Sequence, residues 1–170
     1  MAGSLEFIKS ASASGVSSLS VTDCFSDKYD VYYISIVTFE PTSNATGQIR
    51  LLDSGGSLIS DLEYDHSQLQ VKTYASFSEE RNTGVSYLGS TYFSDGGDDK
   101  GVGLSLYIFN PYDSSSFTFG LWKSAGWNGG SGGIGRQGIG VHKSAEQISG
   151  INFSRTAGTQ DVEAKVYGVK

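Results

Sequence analysis

Few residues of this chain have chemistry beyond packing. There are two histidines and one cysteine, with aspartates and serines scattered throughout. His66 and His142 stand far apart and lack the HxxxH or HExxH spacing that would bring two imidazoles to one zinc ion, so no zinc site is expected. His66 follows Asp65 and reads as a solvated turn residue, and His142 reads as lying near a strand end. Cys24 has no partner for an internal disulfide, and a single cysteine excludes a cysteine-rich metal site. Serine and aspartate are so abundant that a Ser-His-Asp set could be drawn by eye almost anywhere, and no G-x-S-x-G elbow is present. No carboxylate pair is marked out for glycoside hydrolysis.

Asp95, Asp98 and Asp99 cluster in a glycine-containing turn. Calcium takes oxygens from such loops, but the spacing does not match the twelve-residue calcium loop, and a solvated acidic turn is the expected reading. Two overlapping G-x-G-x-x-G matches start at Gly130 and Gly133. A dinucleotide site needs a preceding strand, a following helix and a downstream acid in a βαβ unit, and that context is missing. These readings predict no cofactor, no metal and no enzymatic activity.

Aromatic residues offer recognition in place of reaction. Trp122 and Trp127 flank or sit in a glycine-dense stretch, 124–140, with Tyr112 nearby in sequence. Trp122 is expected to cap the core. Trp127 suits an exposed role, where an aromatic can stack on a sugar face or wedge into a partner. The candidate partner-binding residues are Tyr112, Trp127 and Arg136. Asn44-Ala45-Thr46 and Asn152-Phe153-Ser154 match the glycosylation pattern, which carries little weight without a secretory signal.

The elements that must position these residues are strands. The 170 residues carry 23 glycines, 10 tyrosines and 9 phenylalanines with only two prolines, a mixture of turn formers and aromatics typical of short strands joined by loops. The most apolar stretch, 25–41, is β-branched or aromatic on both parities and predicts a central strand with something packed on each side. Alternation predicts further strands: Leu69, Val71, Thr73, Ala75 and Phe77 on a half-buried strand; Val102, Leu104, Leu106 and Ile108; Phe117, Phe119 and Leu121 on one face of the next; and Val162, Ala164, Val166 and Gly168 to close the chain. Asp53-Ser54-Gly55-Gly56 predicts a tight turn into a strand over 57–64. A charged loop is expected over 78–82, a strand over 85–93, a mobile loop over 124–140 and a helical turn at 145–147. The sum is an all-β chain, one domain over 1–170, forming a two-sheet antiparallel β-sandwich of jelly-roll-like form.

The formal net charge of -6 and singly scattered basic residues argue against nucleic acid. No apolar run approaches the length of a spanning helix, so membrane insertion is not expected. The opening MAGSLEFIK lacks the pattern of a signal peptide, and assembly in a cytoplasm is the simplest expectation.

Several segments resemble one family. FSDKYDVYYISIVTFEPT followed by QIRLLDSGGSLISDLEY is similar to a pattern in tailed-bacteriophage virion structural proteins, where a YDxYxIxIxxxxP strand precedes an R-x-x-D-S-G-G turn. The closing ISGINFSRTAGTQDVEAKVYGVK is similar to that family's I-x-G-I-x-F strand and final strand. The chain departs from the family's S-G-N-I-x-x-G loop at Thr156-Ala157-Gly158-Thr159-Gln160. The resemblance implies a non-enzymatic β-sandwich protein of the virion, on capsid exterior, tail or fibre, assembled in a host cytoplasm. Its partners would be other virion proteins and itself as a homo-oligomer, with a host surface glycan as the alternative ligand.

Overall fold

The computed structural model describes residues 4–42, 45–93, 102–128 and 131–170. The first half holds β1 (Leu5–Val16), β2 (Ser18–Val21), β3 (Val31–Pro41), β4 (Ala45–Asp53), β5 (Tyr64–Lys72) and β6 (Ser78–Val85). The second holds β7 (Gly89–Phe93), β8 (Gly103–Phe109), β9 (Thr118–Asn128), β10 (Gly132–His142), β11 (Ile148–Arg155) and β12 (Gln160–Val169). They form an eight-stranded sheet in the order β1-β12-β3-β8-β9-β10-β5-β6 and a four-stranded sheet in the order β2-β11-β4-β7. Every pairing is antiparallel. The consecutive pairs β1–β2, β3–β4, β7–β8 and β11–β12 each step from one sheet to the other, which is the jelly-roll wrap. Inserted into it, β5–β6 and β9–β10 widen the larger sheet.

Strand alternation builds the core. Tyr32, Ile34 and Ile36 of β3, Leu104, Leu106 and Ile108 of β8, and Val162, Ala164 and Val166 of β12 point inward. They join Ile49 and Leu51 of β4, Ile151 and Phe153 of β11, and Leu19 and Val21 of β2 in one cluster. The strand predicted over 25–41 begins at Val31; before it, the Tyr32 hydroxyl accepts from the Ser26 amide at 2.7 Å and donates to the Ser26 carbonyl at 2.9 Å. β3 is central, as expected, but only its inward parity is covered by the second sheet.

Other expectations are corrected. The described residues of 124–140 are not a mobile loop: β9 and β10 pair residue for residue from Gly132↔Asn128 to His142↔Thr118. Its glycines are required by contact. A Cβ on Gly126 would lie 2.7 Å from Val102, and one on Gly138 would overlap the Trp122 indole, which is fully buried. Gly140 faces the Leu88 carbonyl oxygen just as closely. Close contact with residues of neighbouring strands and, at Gly140, with Leu88 just before β7 explains these glycines, not loop freedom.

The charged stretch 78–82 is part of β6, the outermost strand, where charges discourage edge-to-edge pairing. The turn after β4 is present, with the Asp53 carboxylate accepting from the amides of Gly55 and Ser57 at 2.8 Å each and Gly56 at φ +81°. Residues 57–63, however, make only a bridge from Leu52 to Leu58. Residues 145–147 are irregular, not helical, and β7 starts at Gly89. The acidic turn of Asp95, Asp98 and Asp99 lies outside the described residues.

Gly140→Ala is expected to lower unfolding free energy by about 1–3 kcal/mol, because the new methyl meets a backbone oxygen that cannot move aside. Gly103→Ala, with nothing near its Cβ position, should change stability by less than about 0.5 kcal/mol. Urea denaturation of both variants checks the pair.

Candidate functional site

The outer face of the eight-stranded sheet is its most unusual surface. Following the register across strands, one row runs Phe7–Tyr167–Tyr33–Tyr107–Leu121–Ile139. Beside it, Val31–Phe109–Phe119–Val141 forms a second row. Neighbouring rings touch: Phe7 and Tyr167 centroids are 5.7 Å apart, Tyr33 and Tyr167 6.1 Å, and Tyr33 and Tyr107 5.1 Å. The next row along the strands is polar, Lys165–Ser35–Ser105–Lys123–Gln137. An apolar band, one row crossing six strands and a second crossing four, therefore ends sharply at a polar margin.

Phe7, Tyr107, Phe119 and Ile139 are all exposed, Ile139 by 60%. Between Phe109, Phe119 and Ile139 lies a groove of about 580 Å³, with Asp65, Arg81 and Asn82 at its polar end.

Inside the same sheet the polarity is reversed. β5 was expected to bury Leu69 and Val71, yet these face outward while His66 and Gln68 are buried. Gln68 Nε2 donates to Glu80 Oε2 at 2.6 Å and to Ser90 Oγ at 2.7 Å. Arg136 donates to Ser90 Oγ at 2.6 Å and lies 3.8 Å from Glu80. Asn82 Nδ2 sits 3.1 Å from His66 Nε2 and donates to Glu80 Oε1 at 2.9 Å. His66 is thus a buried strand residue and not a solvated turn residue, its ring 5.0 Å from that of Tyr87. Burial pushes its pKa down, opposed by the Glu80 charge.

A second histidine site closes the far end of β10. His142 is fully buried, its ring 4.7 Å from that of Tyr64. Its Nε2 stands 3.3 Å from Glu63 Oε2 and 3.6 Å from Glu146 Oε1. Glu63 immediately precedes β5, and the Lys143 amide donates to its carbonyl at 2.9 Å. His142 and Glu146 stand four residues apart in the chain, but Glu63 joins them only through the tertiary pairing of β10 with β5.

The three residues expected to touch a partner are not brought together. Trp127 is exposed at the distal end of β9, while Tyr112 is half-buried against the core near the strand's other end. At about 3.3 Å per residue the ends of β9 are roughly 30 Å apart. Arg136 points inward on β10 and belongs to the polar cluster. Residue order places these side chains on strands without saying which face lies open, so the exposed band was not foreseen. Asn152 of the second glycosylation tripeptide is buried and donates to Ser20 Oγ at 2.9 Å.

The pH dependence of the polar cluster follows from its histidine. With a folded-state pKa below the unfolded value of 6.5, His66 favours the fold while neutral, and stability is lost as pH falls below that value. The melting temperature should decline between about pH 6.5 and pH 5, and His66→Gln should flatten that decline whatever it does to the absolute melting temperature. Equal slopes for the two proteins would exclude this origin.

Comparison with known proteins adds no family. No family model matches the chain, and no curated protein matches it. Among solved structures, a fructofuranosidase from Schwanniomyces occidentalis complexed with fructosylnystose is similar at a TM-score of 0.21 and 8% identity, over 98% of this chain and 34% of that one. The chain thus spans about a third of that structure's length. Likeness at this level carries no argument about what either the fold or the site does.

Proposed function

We propose that this chain is a non-enzymatic structural protein of a tailed-bacteriophage virion, carried on the capsid exterior or tail, and that it self-associates through the outer face of its larger sheet. One observation carries the association: β3 is apolar on both parities, and among its described side chains Tyr32, Ile34 and Ile36 are buried while Tyr33 stands in the outer aromatic row. Exposed apolar area forgoes about 25 cal/mol per Å², and contiguous patches of this kind mark association surfaces. The polar row beside the band gives the arrangement of an association surface, an apolar centre and a polar rim. The virion assignment rests on the resemblance of the 25–64 and 148–170 segments. The jelly roll supports it without singling it out, since capsid and lectin domains both use that wrap.

A second reading, recognition of a host surface glycan, has its own observation. Trp127 and Tyr74 are both exposed near the distal end of β9, and the Asn128 side-chain amide donates to the Tyr74 hydroxyl. Aromatic faces beside a fixed amide are a familiar sugar platform.

Light scattering and sedimentation over a range of concentrations distinguish the readings. The wild type should form a discrete homo-oligomer, and Phe119→Lys with Ile139→Lys should yield a folded monomer, because both side chains are exposed and cost the monomer little. A wild type that stays monomeric throughout sinks the self-association. Binding on a glycan array that is lost in Trp127→Ala would favour the second reading.

A further inference from the structure

We propose that Glu63, His142 and Glu146 form a binding site for a divalent first-row transition ion of the zinc type. Among the described residues, Glu63 Oε2, His142 Nε2 and Glu146 Oε1 all lie within 4.8 Å of one another. Two ligands held about 2.0–2.1 Å from a tetrahedral ion are separated by roughly 3.3–3.4 Å. The observed separations from Nε2 are 3.3 Å and 3.6 Å.

The imidazole supplies the independent observation. His142 is fully buried, and neither of its ring nitrogens makes a hydrogen bond even with two carboxylates this near. An unpaired polar atom in such a position costs about 1–3 kcal/mol unless something else satisfies it. A metal-binding arrangement accounts for the near miss. Ligands of a shared tetrahedral ion sit roughly 35° off the nitrogen lone-pair axis, so they lie close to the nitrogen without lining up for an N–H bond.

The donor set selects the ion. An imidazole nitrogen with two carboxylates suits zinc and its neighbours, whereas calcium and magnesium prefer oxygen alone. Three protein ligands leave a fourth position for water. Both carboxylates are partly exposed, at 42% and 35%, which provides a path from solvent. The bound ion would tie the start of β5 and the end of β10 to the irregular segment that leads into β11. That segment is otherwise held by backbone bonds such as Ile148 N to Pro111 O at 2.7 Å. The role assigned is structural, a cross-link between three chain segments.

Untagged protein, stripped with a chelator, is titrated with Zn²⁺ and with Co²⁺ by calorimetry and visible absorption. The expected result is one ion per chain, a Co²⁺ spectrum of low-symmetry tetrahedral type, and a higher melting temperature with Zn²⁺ but not with Ca²⁺. Loss of an outer-shell partner already costs 10–100-fold in metal affinity. Glu63→Gln and Glu146→Gln should therefore each weaken binding at least about tenfold. Both replace partly exposed carboxylates, and their circular dichroism without metal should match the wild type. His142→Ala should abolish binding, but the two glutamine variants decide the question if that protein fails to fold. No stoichiometric binding by the wild type, binding unchanged in both glutamine variants, or equal stabilisation by Ca²⁺ would each overturn the proposal.

Discussion

The packing of Trp122 between the sheets is the constraint on which the rest depends. Its fully buried indole occupies the space that a side chain would need at Gly89 of β7, where a Cβ would lie 2.5 Å away, and at Gly138 of β10. Burying a residue of this size contributes on the order of 5 kcal/mol. Leu88 repeats the arrangement against Gly120 and Gly140. Two large residues and four absent side chains therefore lock β9 and β10 of the larger sheet against the edge of the smaller one. A glycine-dense sequence becomes a close-fitting part of the molecule, because neighbouring bulk and missing side chains are complementary.

That lock carries the inserted strands beyond the jelly roll. Beyond Tyr64 and Val85, which reach the hydrophobic core, the inward residues of β5 and β6 are polar. Buried polar groups are stabilised by hydrogen bonds, and Gln68, Ser90, Arg136, Glu80 and Asn82 exchange bonds of 2.6–2.9 Å, although the Gln68 side-chain oxygen is buried without a partner. With the interior taken by polar groups, the apolar parity of β5 turns outward. Leu69 and Val71 thus extend the apolar character of a face already lined with Phe119 and Ile139.

Much of the fold was legible from residue order. Period-two alternation identified β8 and β12 with the right inward parity, and β-branched and aromatic density located β3. Asp53 and Gly56 marked a turn through side-chain acceptance and a positive φ. Alternation says that a strand has two unlike faces, but it does not say which face meets a neighbour. Leu69 and Phe119 were legible as strand residues but not as exposed ones, because exposure is a property of the sheet opposite. The glycines of 124–140 were misread as freedom for the same reason: they are met by Val71, Val102, Trp122 and Leu88, all outside that stretch.

What the residue order determined by itself is the all-β class, the antiparallel sandwich and the absence of local catalytic spacing, since each depends on neighbours along the chain. Only the tertiary structure decided that β5 is inside-out, that Arg136 is interior while Trp127 is exposed, and that Glu63, His142 and Glu146 converge. Each of those depends on pairing between segments distant in sequence. Register sets such pairing, and register is selected by packing across the sheets.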